Sequence, residues 1–273
     1  MKTSNHLLRR LTAALLAAVL ALSIALPVFA SDDGDTIYIN SVSDLLSLAR
    51  NCAYDQWSVG KTVILQKDLS LEGMLWEPIP SFSGQFKGNG HTISDLTITG
   101  QYSPAGLFGI VEEQGSIESL SVRGVVSVSD SADTTTGGIV GVNHGTLINC
   151  QFTGVVTGDS EVGGIVGRNE SEGTIDHSTA RAIVTGKSST GGIAGYNLGA
   201  ITGCTNVGSI NTEYPEASLD TDGFTAKMVD YINNKMAAAD NDATNSVTNV
   251  ATDTGGIAGR SSGMILTLSL IHI

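Results

Sequence analysis

The sequence predicts an all-β fold: a parallel β-helix (β-solenoid) with a short N-terminal capping helix and a helical insertion. The first observation is a phrase that recurs between residues 137 and 260 as GGIVGVN, GGIVGRN, GGIAGYN and GGIAGR. The second is a composition with 33 Gly and 5 Pro, which argues against ordinary helical packing. The third is the short interval between repeats, which prevents each repeat from burying its own core. Neighbouring repeats must therefore stack on one another.

Residues 1–30 predict a secretion signal. A basic opening with Arg9 and Arg10 precedes the apolar run LTAALLAAVLALSIAL, and the small residues Val28 and Ala30 suit signal peptidase. The run is shorter than the roughly 20 residues that a membrane span needs, so an uncleaved anchor is the alternative. We expect cleavage near Ala30, a secreted or cell-surface location, and no other membrane insertion.

The chain is acidic, with a formal net charge of −13 at pH 7. Loss of the signal would remove three positive charges and no acid, which leaves −16. Such a charge repels nucleic acid and anionic lipid, and it keeps an exported protein soluble. We therefore expect no nucleic-acid partner, whereas an extracellular glycan or protein ligand is compatible with the charge.

Residues 31–104 are predicted to form an N-terminal cap and the entry coils. The stretch from Ser41 to Arg50 predicts a short helix in which Ser41 is the cap and Asp44 favours the positive end of the dipole. We expect one apolar face of this helix to cover the first coil, and its residues are Val42, Leu45, Leu46 and Ala49. The run from Thr62 to Leu65 predicts an early strand.

Residues 105–211 contain the repeats, which align on a marker glycine. The glycines are Gly115, Gly145, Gly173 and Gly199. Behind them lie columns of equivalent residues: Ile117, Leu147, Ile175 and Ile201; Leu120, Cys150, Ser178 and Cys204; Val122, Phe152, Ala180 and Asn206; Gly124, Gly154, Ala182 and Gly208; Val126, Val156, Val184 and Ile210. The last four columns are two residues apart, which is strand periodicity with one face buried.

Each repeat is predicted to form one complete coil with three short strands and three corners. Glycines are expected at the corners, where a positive φ or a close backbone approach excludes a Cβ atom. Asn143, Asn169 and Asn197 each follow the glycine-rich phrase by one residue. Because asparagine tolerates the left-handed region, we expect these three residues to form a corner ladder.

The phrase GGIVG-x-N, followed by GTI and later by G-x-V, resembles the GLUG repeat of large secreted and surface proteins. The resemblance extends from Ala105 to Ile210 and resumes at Gly255, and the run from Phe82 to Ile98 looks like the coils that precede such repeats. The family implies a parallel β-helix of adhesin-like proteins. In some members that β-helix precedes a metallopeptidase of the immunoglobulin-cleaving type.

The remaining segments depart from the repeat. Residues 212–249 are predicted to be an insertion with a helix on the solenoid flank, because Phe224, Met228, Ile232 and Met236 are four residues apart. A partner-binding helix is the alternative. Residues 250–267 read as a truncated further repeat. Residues 268–273, LSLIHI, are the translation of the transposon-end sequence CTGTCTCTTATACACATC, so we expect a sequencing-adapter artefact there and a natural chain that continues beyond Thr267. A genuine apolar end strand is the alternative.

No catalytic, cofactor-binding or metal-binding residue is predicted. The tripeptides at Gly60 and Gly186 lack the earlier glycine of a phosphate-binding loop. His91, His144 and His177 lack zinc-ligand spacing, and His177 is expected to point outward. Gly158-Asp159-Ser160 resembles a hydrolase nucleophile turn but falls at a corner. The sequence Asp220-Thr221-Asp222-Gly223 is read as helix capping, with calcium as the alternative.

The cysteines test the predicted register. Cys150 and Cys204 share a column with Ser178 between them, so they should lie two coils apart, roughly 9 to 10 Å. That separation exceeds the roughly 7 Å limit for a disulfide. We expect both to be buried free thiols, with Cys52 unpaired on the N-terminal helix.

The function that these patterns favour is a non-catalytic structural or adhesive module of a larger secreted or cell-surface protein. The alternatives are the N-terminal part of a secreted peptidase and a polysaccharide-acting β-helix enzyme. Aromatic residues, which form sugar-stacking platforms, make up only 5% of the chain.

Overall fold

The computed structural model describes residues 35–54, 56–128, 134–211 and 252–266. Residues 37–273 form one unit and residues 1–36 cluster separately, so only residues 35 and 36 of the smaller unit are described. The described part of the larger unit is a parallel β-solenoid of about six turns, with one short helix near its N-terminus. The predicted signal, the predicted insertion helix and the predicted adapter residues lie outside the described residues.

The elements follow one another in three groups along the chain. The cap and entry coils contain β1 (Thr36–Ile39), α1 (Val42–Asn51), β2 (Thr62–Leu65), β3 (Leu69–Ser70), β4 (Ile79–Phe82), β5 (Gln85–Lys87), β6 (Thr92–Gly100), β7 (Phe108–Val111), β8 (Ser116–Glu118) and β9 (Ser121–Val128). The central coils contain β10 (Thr135–Gly137), β11 (Val140–Asn143), β12 (Thr146–Ile148), β13 (Gln151–Thr157), β14 (Glu161–Gly163), β15 (Val166–Asn169), β16 (Thr174–Asp176), β17 (Thr179–Thr185), β18 (Ser188–Gly191), β19 (Ala194–Asn197), β20 (Ala200–Thr202), β21 (Thr205–Asn206) and β22 (Ser209–Ile210). The last group contains β23 (Thr252–Gly255), β24 (Ala258–Ser261) and β25 (Met264–Leu266).

Four sheets run along the solenoid, and the strands from β2 onward pair in parallel with their counterparts in neighbouring coils. The first sheet has the order β1-β2-β5-β8-β12-β16-β20-β25, and the second has β3-β6-β9-β13-β17-β21, with β22 also on β17. The third sheet has the order β10-β14-β18-β23, and the fourth has β4-β7-β11-β15-β19-β24.

A complete coil therefore has four strands, and the prediction of three strands and three corners was wrong. The repeated phrase is divided between two strands of different sheets, and its glycine pair lies at the corner between them, as between β14 and β15. A Cβ atom on Gly163 would collide with the carbonyl oxygen of Val166, and one on Gly164 would collide with that of Gly192 in the next coil. The backbone turns too sharply at this point for a side chain, so one continuous phrase contains a corner.

The predicted register of one repeat per coil is confirmed. Leu147 pairs with Ile117 on one side and with Ile175 on the other, and Val156 pairs with Val126 and Val184 in the same way. The side chains of these columns fill the interior of the solenoid. Burial of each aliphatic side chain contributes about 1.5 to 3 kcal/mol, so the stacked columns are the main source of stability.

The entry coils add an aromatic cluster to the same core. Phe82, Phe86 and Phe108 are fully buried, with ring centroids 5.4 to 6.3 Å apart. Trp76 is also buried, and its Nε1 donates a hydrogen bond of 3.1 Å to the carbonyl oxygen of Leu107. The early strand predicted from Thr62 to Leu65 is β2, and the residues from Phe82 to Ile98 form coils as predicted.

Asn143, Asn169 and Asn197 form a ladder, but not through the left-handed conformation that the sequence suggests. They are buried, and their side-chain amides bind one another. Asn143 Nδ2 lies 2.7 Å from Asn169 Oδ1, and Asn169 Nδ2 lies 2.8 Å from Asn197 Oδ1. Asn197 Nδ2 continues the chain to Ser261 Oγ at 3.1 Å. The ladder thus satisfies buried polar groups.

The left-handed conformation occurs one corner later, between the first and second sheets. Four equivalent residues have φ between +46° and +61°, and they are Ser119, Asn149, His177 and Gly203; Asn89, in the longer corner of the entry coil, is also left-handed. Their amides bond across coils, as from Asn149 N to the carbonyl oxygen of Asp176 at 3.0 Å.

The corner between the second and third sheets varies most in length. Its connections comprise residues 186–187, 158–160, 129–134 and 211–251. Asn206, the only polar member of its column, lies in β21, which β22 follows before the longest of these connections. Its Oδ1 accepts a hydrogen bond of 3.0 Å from the amide of Gly208, and its side chain lies against Gly192.

The N-terminal helix is confirmed as α1. Ser41 is its N-cap and Oγ accepts a hydrogen bond from the Asp44 amide at 3.2 Å. Asp44 in turn accepts from the Asn40 amide at 2.9 Å, which lowers the pKa of this carboxyl group. The buried face differs from the predicted one, because Leu45 and Leu48 are its centre and Val42, Leu46 and Ala49 are only partly buried.

Candidate binding surface

The outer face of the fourth sheet presents one side chain per coil in a single column. In β15, Val166 and Asn169 point into the solenoid, so the intervening Arg168 points outward. The register aligns Arg168 with Val142 in the preceding coil and with Tyr196 in the next, and Tyr196 with Arg260. We call Arg168, Tyr196 and Arg260 the Arg–Tyr–Arg column.

Tyr196 lies between two guanidinium groups. The guanidinium carbon of Arg168 is 5.0 Å from the ring centroid, and that of Arg260 is 5.7 Å from it. Both distances fall within the range of a cation–π interaction, which contributes about 0.5 to 1 kcal/mol at exposed sites. The column is therefore held in place by its own contacts and by the ladder beneath it.

Two carboxylates balance the charge of Arg168. Its Nη1 lies 2.9 Å from Glu161 Oε1, and its Nε lies 2.8 Å from Glu170 Oε1. The second contact is an ion pair whose N–H is not aligned as a hydrogen bond. Thr135 Oγ1 also donates to Glu161, at 3.2 Å. Burial raises the pKa of the Glu161 carboxyl group, and the charge of Arg168 opposes that rise.

Arg260 differs from Arg168 because it is exposed and has no carboxylate partner among the described residues. The surface thus offers an uncompensated guanidinium group, an aromatic side chain and two partly buried carboxylates. Tyr and Arg are the residue types that most often dominate binding energy at interfaces. The arrangement suits recognition of a polar or anionic ligand, and it contains no nucleophile activated by a base.

Comparison with known proteins identifies the repeat. Residues 158–185 match the family model described as the GLUG motif. The chain carries a GLUG motif. The matched residues run from the corner before β14 to the end of β17, which is one complete coil of the solenoid.

Two protein relatives match part of this chain. Halomucin of Haloquadratum walsbyi is 31% identical over an alignment of 155 positions, and the match covers 52% of this chain and 2% of halomucin. A "Putative Gly-rich membrane protein" of Evansella cellulosilytica is 29% identical over an alignment of 137 positions, and the match covers 36% of this chain and 16% of that protein. The chain therefore spans a small part of the length of these relatives.

A solved structure has the same fold as the GLUG solenoid. The crystal structure of a "putative immunoglobulin A1 protease" from Bacteroides ovatus superposes with a TM-score of 0.56 and 18% sequence identity. The match covers 85% of this chain and 63% of that one. At this identity the likeness concerns the β-solenoid fold alone.

The Arg–Tyr–Arg column was not among the predicted features, although the sequence contains a signal for it. The phrase GGI-x-G-x-N has two variable positions, and the column occupies the second one, just before the asparagine of the ladder. That position holds Val142, Arg168, Tyr196 and Arg260 in successive coils. Variation at one outward position within a largely constant phrase is the pattern expected of a recognition surface on a repeat scaffold.

The histidines are dispersed over the GLUG solenoid. His177 points outward as predicted, with 69% of its side chain exposed, and its Nδ1 lies 2.8 Å from Asp176 Oδ1. His91 Nδ1 lies 3.2 Å from Asp68 Oδ1. In the described ranges no group of three or more His, Cys, Asp or Glu side chains is arranged to hold a metal ion. The segment Asp220–Gly223, with its calcium alternative, lies outside those ranges.

The corner at Gly158-Asp159-Ser160 is built by structural hydrogen bonds. Thr134 Oγ1 accepts from the amides of Asp159 and Ser160, at 2.8 and 3.4 Å. The Asp159 carboxylate forms an ion pair with Lys187 in the following coil. This ion pair connects the corner with the tripeptide that begins at Gly186.

A shallow depression at the corner between the first and second sheets is lined by polar groups that include Ser119, Asn149 and His177. Its volume of about 130 Å³ is below the roughly 300 Å³ at which small-molecule sites begin.

The described helix, α1, is not of membrane-spanning length and apolarity.

The three cysteines are free, as predicted, and the predicted burial of Cys150 and Cys204 is confirmed; Cys52 is buried as well. Cys150 and Cys204 are separated by Ser178, whose Oγ accepts a hydrogen bond from the Cys150 amide at 3.1 Å. Burial raises the pKa of Cys150 to about 12 and those of Cys52 and Cys204 to about 11. Thiols with such pKa values are protonated and inert at neutral pH.

Proposed function

We propose that this chain is a non-catalytic structural or adhesive GLUG β-solenoid module of a larger secreted or cell-surface protein. The observation that carries the proposal is the Arg–Tyr–Arg column, an ordered row of binding-type side chains on a rigid scaffold. Arg260 is the exposed end of that row. The ligand class that we propose is an extracellular glycan or protein with polar or anionic groups.

Several facts support the extracellular part of the proposal. The first thirty residues have the pattern of a secretion signal, and the net charge of −13 disfavours nucleic acid as a partner. The relatives bear the names halomucin and Gly-rich membrane protein. Expression with the first thirty residues in a secreting host is expected to release a protein that begins at Ser31, as read by N-terminal sequencing. An uncleaved N-terminus would support the anchor instead.

Binding is tested by incubating the purified chain with immobilised glycans and extracellular-matrix proteins. We expect one class of ligand to bind, and we expect Tyr196→Ala and Arg260→Ala each to weaken that binding by about 1 to 3 kcal/mol, as for interface residues of these types. Lys87→Ala removes an exposed basic side chain from the first sheet and is the matched control. Equal loss in all three variants would show that general charge, not the column, is responsible.

The alternatives are the N-terminal part of a secreted peptidase and a polysaccharide-acting β-helix enzyme. The motivation for the first is the repeat resemblance, because such a β-helix precedes a metallopeptidase in some proteins with this repeat. Release of reducing ends from polysaccharides by the chain would support the second. The uninterrupted reading frame of the source DNA tests the first, since a peptidase motif after residue 267 would place this module upstream of a catalytic domain.

A further inference from the structure

The outer face of the second sheet carries a column of aliphatic side chains that is covered. Val125, Val155 and Ile183 pair in register, one per coil. They alternate with inward-pointing residues, and they lie outside the central core cluster. Even so, their exposed fractions are only 2%, 5% and 7%. Side chains on the outside of a sheet remain in contact with water unless another layer packs on them. We call these three residues the outer apolar column.

The chain leaves the solenoid beside this column. Ser209 pairs with Ile183 and so occupies the next position of the column. Two residues later, the amide of Asn211 donates to the carbonyl oxygen of Val184 at 2.8 Å, and Asn211 Oδ1 accepts from the amide of Gly186 at 2.9 Å. The connection 212–251 begins at this anchored residue, and the chain returns at Thr252, which pairs with Ser188.

The connection has the apolar pattern and the length to cover the column. Its residues Phe224, Met228, Ile232 and Met236 would lie on one face of the predicted helix and would span about 18 Å at about 1.5 Å per residue. The outer apolar column itself spans two coil steps, or about 10 Å at about 4.8 Å per step, and Thr97 and Ser209 extend the same row to four steps, or about 19 Å. The lengths of the helix face and of the extended row agree when the helix lies along the solenoid axis.

The charges are complementary as well. The connection 212–251 contains seven acidic and two basic residues. Arg123 and Arg181 are on the same outer face as the column, two residues before Val125 and Ile183, and neither has an ion-pair partner among the described residues. Their guanidinium groups flank the region that the connection would occupy.

We propose that residues 212–251 dock on the outer apolar column, with the face formed by Phe224, Met228, Ile232 and Met236 against Val125, Val155 and Ile183. The connection then adds a second layer to one sheet of the solenoid and is a part of its fold. The proposal rests on the second sheet and is independent of ligand binding at the fourth.

Disulfide trapping in the full chain tests this contact directly. The variant Val155→Cys/Met228→Cys is expected to form an intramolecular disulfide on mild oxidation, seen as faster migration without reductant and as a linked peptide pair in mass spectrometry. The matched control is Thr146→Cys/Met228→Cys, because Thr146 lies outward on the first sheet. The native cysteines are buried and do not compete. Crosslinked dimers without monomer would show that a second copy covers the column, and equal crosslinking of both pairs would overturn the proposed contact.

A shortened chain provides the second test. Residues 211–251 are replaced by Thr-Gly-Lys, which makes the same corner at residues 185–187. We expect this variant to bind a hydrophobic fluorescent dye more strongly than the full chain does, and we expect Val155→Ser in the shortened chain to reduce that excess. Unchanged dye binding in a folded shortened chain would overturn the proposal, since nothing would have been uncovered. The full-chain disulfide remains decisive if the shortened chain does not fold.

Discussion

At the scale of single residues, the buried asparagines illustrate how a repeat satisfies polar groups inside an apolar core. Asn143 and Asn169 each donate to the side-chain carbonyl oxygen of the next asparagine, and Asn197 donates to Ser261 Oγ. Each also bonds to the backbone of its own coil, as from Asn169 Nδ2 to Gly173 O at 3.1 Å. A hydrophobic residue of similar size could not replace one member alone, because its two neighbours would lose their partners.

We expect Asn169→Ala to reduce the free energy of unfolding by about 2 to 6 kcal/mol, since two buried groups become unsatisfied at about 1 to 3 kcal/mol each. Urea denaturation followed by circular dichroism measures the change. Asn149→Gly is the control, because Asn149 occupies an exposed left-handed corner that glycine adopts readily. A similar loss in both variants would contradict a special role for the buried ladder.

The buried thiols add a pH dependence at the same scale. Burial raises the pKa of the Cys150 thiol in the folded state to about 12, from its ordinary value of 9.0. A raised thiol pKa means that the unfolded state loses its proton first, so stability is complete below pH 9.0 and falls as the pH rises toward 12. We expect the fall to be shallower in Cys150→Ala, as measured by urea midpoints from pH 8 to pH 11. An identical slope in both proteins would contradict this account.

At the scale of the elements, the sharp corner at the glycine pair determines the shape of each coil. Gly164 lies against the carbonyl oxygen of Gly192 in the next coil, whereas the equivalent Gly256 has open space where a Cβ would be. The two positions have the same place in the repeated phrase and differ only in what surrounds them. Substitution of these two glycines therefore distinguishes the cost of steric overlap from the effect of the backbone conformation that glycine favours.

We expect Gly164→Ala to destabilise the protein by about 1 to 3 kcal/mol through overpacking. Gly256→Ala is expected to be neutral or slightly stabilising, because alanine restricts the unfolded chain. Thermal unfolding of both variants measures the difference. Equal melting temperatures would indicate that the corner can relax to admit a side chain.

The elements also show where prediction from sequence succeeds. The columns, the early strand, the capping helix and the free cysteines follow from spacing, because parallel stacking places equivalent residues above one another. The fourth strand did not follow, because a corner without a break in the apolar pattern leaves no trace in periodicity. The buried face of α1 shifted to Leu48 for a related reason: contact with the first coil, not the helix pattern alone, selects the buried residues.

The Arg–Tyr–Arg column could have been found from the sequence, but only with the register in hand. Arg168, Tyr196 and Arg260 are 28 and 64 residues apart, and the second interval includes the long connection. The ion pair between Glu161 and Arg168 was not predictable from the sequence. Glu161 lies on a strand of the third sheet, and the predicted coil of three strands did not include that strand.

At the scale of the whole molecule, the fold and the charge together define what the surface can bind. A solenoid presents long, regular faces, and a net charge of −13 surrounds them with a negative field. A cation in such a field attracts small anionic groups only where no carboxylate neutralises it, and Arg260 is exposed and has no carboxylate partner in the described part of the chain. Polyanions of high charge density meet repulsion from the rest of the surface.

We accordingly expect the full chain to show no binding to duplex DNA in a gel-shift assay at about 150 mM salt, where the attraction of a few basic side chains is screened. A protein of similar size with a basic patch is the positive control. Retarded DNA at that ionic strength would contradict the argument that the net negative charge prevents DNA binding, and it would indicate a basic surface on the protein.

The corner between the second and third sheets has a practical consequence. Its connections range from residues 186–187 to residues 211–251 while the strands on either side keep their register. A scaffold that accepts such different lengths at one corner can carry an inserted segment there while its strands remain paired as before. Peptide epitopes or enzymes grafted at residues 186–187 or 158–160 would project at fixed spacing along one edge, and the stacked columns would remain unchanged.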